Sequence, residues 1–140
     1  MNEQVNKNVF VFDFDKRIKE KEIEVAGVNY TLSFDDKALE GYQLAVVRFR
    51  DNYKKLEKLT KSLDYDTVDE KTLVELSETQ TILLKQFISA FLGEEGYNDV
   101  YVKAGRSNIN LMALVPFLSE LLDNETKSLD ADLRAKYLNK

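Results

Sequence analysis

The chain has 140 residues, of which 44% are apolar and 32% charged, a length and composition that suit one globular domain. Its 25 acidic residues outnumber 20 basic ones, and the net charge of −5 argues against nucleic acid as a partner. The absence of Cys and His excludes disulfides, thiolate metal sites and histidine-based catalysis. We therefore predict no catalytic residues, no metal site and no cofactor.

The sequence gives no sign of membrane insertion. No stretch reaches the roughly 20 uninterrupted apolar residues that a spanning helix needs, and residues 1–8 are polar, unlike a secretory leader. We predict a cytoplasmic protein without membrane contact. Residues 1–140 are expected to form a single domain in which 1–8 are flexible.

Residues 9–34 alternate with a period of two, which is typical of β-strands. Phe10 and Phe12 alternate with Val11, and a second alternating stretch runs on both sides of Gly27. Glycine suits the tight turn of a hairpin. The pattern predicts a small antiparallel hairpin or sheet of two or three strands, in which residues 9–14 form an edge strand.

A long helix is predicted to follow, because apolar residues then recur every three or four positions. Asp35 and Asp36 suit its start, and its apolar stripe ends near Thr60. The stripe consists of Leu39, Tyr42, Val46, Phe49, Tyr53 and Leu56. Gly41 weakens the helix by roughly 1 kcal/mol relative to Ala, and close packing against another helix would explain it.

A second long helix is predicted to pack antiparallel on the first. Thr67 and Glu70 form a capping-box pattern for its start, and Gly93 and Gly96 are predicted to end it.

Shorter helices are predicted for the rest of the chain. Residues 94–103 suit two helical turns ended by Gly105, and Ser107 or Asn108 can cap the apolar helix that follows. Pro116 is expected to bend that helix, and residues 125–140 form a weakly amphipathic last segment. The fold class is therefore α+β and mainly α: a hairpin or sheet within 9–34, then helices over 35–140.

The densest acidic cluster lies between the two long helices and superficially suits calcium. Val68 stands where such a loop needs a ligand, and Asp69 stands where it needs glycine. Turn formation and helix capping are the better interpretation.

Apolar surface leaves two interpretations open. Phe10 and Phe12 on an edge strand, together with the apolar helix, either complete the core or face a partner. In the second case the partner is a further copy of the chain or an apolar client.

Two stretches resemble a known family. The hairpin sequence IEVAGVNYTLSF (23–34) followed by DDKAL (35–39), and the stretch FLGEEGYNDVY (91–101) followed by GRS (105–107) and an apolar helix, are similar to the small tail assembly chaperones of long-tailed phages and prophages of Gram-positive bacteria.

The resemblance implies a mainly helical, non-enzymatic chaperone. Such proteins hold the tape-measure protein soluble while tail tube subunits polymerise around it, and they are absent from the finished virion. The implied partners are the tape-measure protein, the tail tube protein and further copies of the chain, in the cytoplasm of the host bacterium. The resemblance also implies self-association or client surfaces, which we predict on the edge strand and the apolar helix: Phe10, Phe12, Ile109, Met112, Val115 and Leu118.

Two other classes of protein remain as alternatives. One is an interaction protein unrelated to phage tails, either an acidic helical adaptor or an inhibitor that mimics the charge of DNA. The net charge of −5 is modest for a DNA mimic, and Lys residues mixed with the acidic residues leave no large face of a single sign. The other is an enzyme that uses carboxylates or Lys, for which the sequence shows no suitable constellation.

Overall fold

The computed structural model describes residues 9–14 and 20–137, and within the last helix it leaves the side chains of 128–134, 136 and 137 undescribed. The elements in chain order are β1 (Glu20–Val25), β2 (Val28–Ser33), α1 (Asp36–Lys61), α2 (Glu70–Lys103), α3 (Asn108–Leu111) and α4 (Leu114–Tyr137). The mainly helical α+β fold is thus confirmed. The prediction for residues 1–8 lies outside the described residues.

The hairpin forms where the alternation around Gly27 predicts it. β1 and β2 pair antiparallel from Glu20 with Ser33 to Val25 with Val28. The turn residues Ala26 and Gly27 both have positive φ, 51° and 83°, which suits the twist of a two-residue hairpin turn. Ile23, Val25 and Leu32 are buried, whereas Glu22 and Glu24 on either side of Ile23 are exposed.

The predicted edge strand over residues 9–14 is wrong. These residues belong to no strand, and their apolar side chains are exposed. Alternation marks a segment suited to a sheet, but a strand forms only where a neighbouring edge pairs with it. Among the described residues, β1 pairs with β2 alone.

The start of α1 is confirmed. The Asp35 carboxylate accepts a hydrogen bond from the Ala38 backbone N–H at 2.8 Å, which satisfies one of the free donors at the helix start. The helix then runs to Lys61, one residue beyond the predicted end.

The predicted capping box at Thr67 is wrong, because Asp69 caps α2 instead. Its carboxylate accepts from the Thr72 backbone N–H at 2.8 Å, and hydrogen bonds from Thr72 lower the pKa of Asp69. The preceding loop is folded by Asp64, whose carboxylate accepts from the Asp66 N–H at 2.9 Å. The acidic cluster thus shapes a turn and a helix start.

Gly93 interrupts α2 as predicted, because its backbone is not helical, and the predicted short helix over 94–103 forms the second part of α2. The predicted helix end at Gly96 is wrong. Gly93 has φ 79° and ψ 169°, and the helix resumes at once and continues to Lys103. Gly96 is buried within the second part, where a Cβ atom would lie 2.6 Å from Leu92 Cβ and 3.2 Å from Tyr30 Cε1. The absence of a side chain there lets β2 approach α2.

The predicted bend at Pro116 is also wrong, because the chain breaks earlier. Ser107 caps the short helix α3, accepting from the Asn110 N–H at 3.2 Å, and α4 begins anew at Leu114. Pro116 therefore lies in the first turn of α4, where its missing N–H removes no helical hydrogen bond. α4 then continues without interruption through the predicted weak segment from residue 125 to Tyr137.

A run of aromatic rings, here called the aromatic column, forms the centre of the core. Neighbouring rings have centroids 4.7 to 5.7 Å apart. In order along the column they are Phe34, Tyr42, Phe91, Phe87, Phe49 and Tyr53. Tyr42 contacts Phe91, and Phe49, further along α1, contacts Phe87, which is earlier in α2. The two helices therefore pack antiparallel, as predicted.

Two glycines in helices are predicted to respond oppositely to the same change. Gly41→Ala should raise the free energy of unfolding by about 0.5–1 kcal/mol, because the new methyl meets no atom within 4 Å and alanine is the better helix former. Gly96→Ala should lower it by about 1–3 kcal/mol, because the methyl overlaps Leu92. Urea unfolding measures both. A gain in stability for Gly96→Ala would contradict the close approach of Tyr30 and α2.

Candidate docking surfaces

A groove runs between α1 and α2 on one side of the aromatic column. Its volume is about 480 Å³. We call it the Gly41 groove, and its lining residues are Gly41, Ala45, Arg48, Phe49, Asn52, Leu83, Gln86, Phe87 and Ala90. Within each helix these positions recur at spacings of three and four, which places them on one face.

Small residues make this groove. Gly41 and Ala45 on α1 lie opposite Ala90 on α2, so little side-chain volume fills the space above Phe49 and Phe87. The predicted reason for Gly41, close packing against another helix of the chain, is wrong, because a Cβ atom there would meet nothing within 4 Å. Apolar side chains form the floor and Arg48, Asn52 and Gln86 supply polar groups, the composition expected of a protein interaction site.

α4 covers the other side of α1. Leu122 and Asp123 of α4 line a separate groove with Gln43 and Val46 of α1, and Lys21 of β1 lies 3.2 Å from the Glu125 carboxylate. The residues that line the Gly41 groove all belong to α1 and α2. Within the part of the chain that the structure describes, α4 therefore leaves that groove uncovered.

A second apolar groove, the tip groove, lies where α1 ends and α2 begins. Its volume is about 340 Å³. Its apolar walls come from Tyr53, Leu56, Leu63, Tyr65, Leu73 and Leu76, and the polar residues at its edges are Glu57, Thr60, Lys61, Ser77 and Gln80. Tyr65 is 70% exposed, so a large aromatic ring stands open to solvent beside it.

Residues 9–14, the aromatic segment, are a third exposed apolar feature. Phe10 is 99% and Phe12 69% exposed, and the Phe12 ring packs edge-on against Phe14 with a centroid distance of 4.9 Å. Single exposed apolar residues are ordinary, but a contiguous run of them marks an interaction site.

The six residues predicted for partner contact do not form one surface. Phe10, Phe12 and Ile109 are exposed, Ile109 by 82%. Met112 and Val115 are half-buried against the core. Leu118 is fully buried and is a core residue, which removes it from any contact surface of the folded chain.

Sequence reasoning missed both grooves. The apolar stripe of α1 predicts core positions, yet its residue Phe49 also lines the Gly41 groove, and its residues Tyr53 and Leu56 also line the tip groove. The other α1 residues of the two linings lie outside that stripe. One feature of the sequence could have indicated the Gly41 groove. Gly41 and Ala45, four residues apart, place two small residues on one face of α1, although glycine destabilises a helix.

The tyrosines with shifted pKa values do not provide acid–base groups near neutral pH. Burial, together with the Asp99 charge, raises the pKa of Tyr30. Burial also raises the pKa values of Tyr42 and Tyr97. All three phenols therefore stay protonated at pH 7.

Residues 9–14 and 20–137 contain no group of three or more acidic side chains placed to hold a metal ion. None of the helices they form is both long enough and apolar enough to cross a bilayer.

Comparison of the chain with protein families, with curated proteins and with solved structures finds no significant match. The resemblance to phage tail assembly chaperones therefore rests on the two sequence stretches alone and stays a prediction.

Because Ile109 is exposed and Leu118 is buried, substitutions at these two predicted contact residues should change the free energy of unfolding by different amounts. Ile109→Asp should change the free energy of unfolding by less than about 0.5 kcal/mol, as expected for an exposed site. Leu118→Ala should lower it by about 2–5 kcal/mol, because it opens a cavity in the core. Urea unfolding followed by circular dichroism measures both changes, and equal losses would contradict the placement of α3 and α4.

Proposed function

We propose that the chain is a non-enzymatic tail assembly chaperone that holds a helix of the tape-measure protein in the Gly41 groove. The observation that carries the proposal is the groove itself: an apolar floor, small residues where a backbone must approach, and polar groups among its lining. A helix with an apolar face binds in such a groove through residues spaced three and four apart.

The charge of the chain supports the same role. A tape-measure protein has long apolar helices that aggregate when exposed. A carrier therefore needs an apolar binding groove and a charged surface that keeps the complex in solution. The chain carries a net charge of −5, and none of the charged side chains that the structure describes is buried in the core. Its charges therefore lie on the surface.

The proposal includes the setting that the resemblance implies. The chain acts in the cytoplasm of the host bacterium, delivers its client to polymerising tail tube protein and is absent from the virion. An acidic adaptor unrelated to phage would use the same groove, and the identity of the client distinguishes the two.

Co-expression with the tape-measure protein of the same genome tests the proposal. The wild-type chain should keep the tape-measure protein soluble and co-elute with it in size-exclusion chromatography. Gly41→Leu should abolish capture, because Gly41 lines the groove, a Cβ atom there meets nothing of its own fold within 4 Å, and the larger side chain takes up groove space. Lys54→Leu is the matched control: it puts the same side chain on an exposed position of α1 that lines neither groove.

The co-expression results test the chaperone function and the location of the binding site separately. A tape-measure protein that stays insoluble beside the wild-type chain would contradict the chaperone function. Equal capture by wild type and Gly41→Leu would keep the function and overturn the groove as the binding site. Circular dichroism of each variant checks that the helices remain.

A further inference from the structure

The aromatic segment and the tip groove are complementary in chemistry. The segment presents Phe10, Phe12 and Phe14 at alternate positions, all mostly exposed. The tip groove offers apolar walls from both long helices and an exposed Tyr65 ring. Stacked or edge-to-face aromatic contacts stabilise such a pairing by about 0.5–1.5 kcal/mol each beyond the burial of area.

We infer that the tip groove of one copy binds the aromatic segment of a second copy. Charge agrees with this pairing: Asp13 is the acidic residue of the segment, and Lys61 is the basic residue of the groove lining. Lys61 lies 3.8 Å from Glu57 in an exposed i, i+4 pair, which is a weak interaction. Its ammonium can therefore turn to Asp13 at little cost.

Chain length disfavours the groove of the same copy. Six residue steps separate Phe14 from Glu20, and a taut chain covers at most about 21 Å over that distance. Glu20 pairs with Ser33, close to the start of α1. The α1 residues of the groove, from Tyr53 to Lys61, lie about 25–37 Å along the helix from Asp36. A fully stretched chain would therefore leave Phe14 short of its own groove, although Phe10, ten steps from Glu20, could span about 35 Å. Only the groove of a second copy can take all three rings of the segment.

The surface area suffices for a stable pair. Burying a fully exposed aromatic side chain removes about 150–250 Å² from water. Phe12 and Phe14 are already partly buried, so two segments exchanged reciprocally bury roughly 700–1,200 Å² through their rings alone. The grooves add a comparable contribution. Stable interfaces bury about 1,200–2,000 Å² in total, and a reciprocal exchange closes as a two-fold dimer.

Cysteine chemistry can test this arrangement specifically, because the chain has no cysteine of its own. One preparation carries Asp13→Cys, and a second, differently tagged preparation carries Lys61→Cys. The two are mixed without any client and treated with a short bis-maleimide. We expect a covalent product that carries both tags, at least ten times more abundant than with Lys37→Cys, an exposed control at the start of α1.

Removal of the Phe10 and Phe12 rings provides a second test, measured by cross-linking and by light scattering. Adding Phe10→Ser and Phe12→Ser to the Asp13→Cys chain should reduce the product at least tenfold, and the same two changes in the wild-type chain should lower the mass in light scattering from dimer to monomer. These side chains are exposed, so the circular dichroism spectrum should not change.

Two results would overturn the inference: a mixed product no stronger than the Lys37→Cys control, or a product unaffected by loss of the Phe10 and Phe12 rings. Because no client is present, none of these results depends on the proposed chaperone function.

Discussion

The ring contacts between α1 and α2 are the constraint on which the rest of the molecule depends. Tyr42 stacks on Phe91 with a centroid distance of 4.7 Å and an angle of 8° between the planes, and Phe49 meets Phe87 at 5.3 Å. These two contacts fix the register of the long helices. Phe34 extends the column to the end of the hairpin, and Tyr30 reaches α2 where Gly96 leaves room. The position of the hairpin therefore depends on the register of the two long helices.

The same constraint decides which surfaces stay open. The column fills the line of closest approach between α1 and α2, and α4 packs beside it against Val46 and Gln43. The opposite side carries Gly41, Ala45 and Ala90, which are too small to fill the space between the helices. The Gly41 groove therefore forms because the large rings of the aromatic column lie between the helices while the residues beside them are small. A docked helix would bury that space at no cost to the internal packing.

Features set by neighbouring residues could be predicted from the sequence. The turn at Gly27, the Asp35 cap and the apolar stripe of α1 each depend on a few adjacent residues, and each is confirmed. Features that depend on a partner could not be predicted. Phe10 and Phe12 alternate like a strand, yet no neighbouring edge pairs with them. The Gly41 groove combines flanking positions of two helices, so neither helix alone reveals it.

The central claim is that a client helix lies in the Gly41 groove. A photo-reactive phenylalanine analogue at Ala45, irradiated in the complex co-expressed with the tape-measure protein, tests it most directly. The same group at Val47, exposed on α1 but absent from both groove linings, reports the background. The account predicts a strong covalent product with the tape-measure protein from position 45 and little from position 47. Equal products from both positions, or a product from position 47 alone, would contradict it.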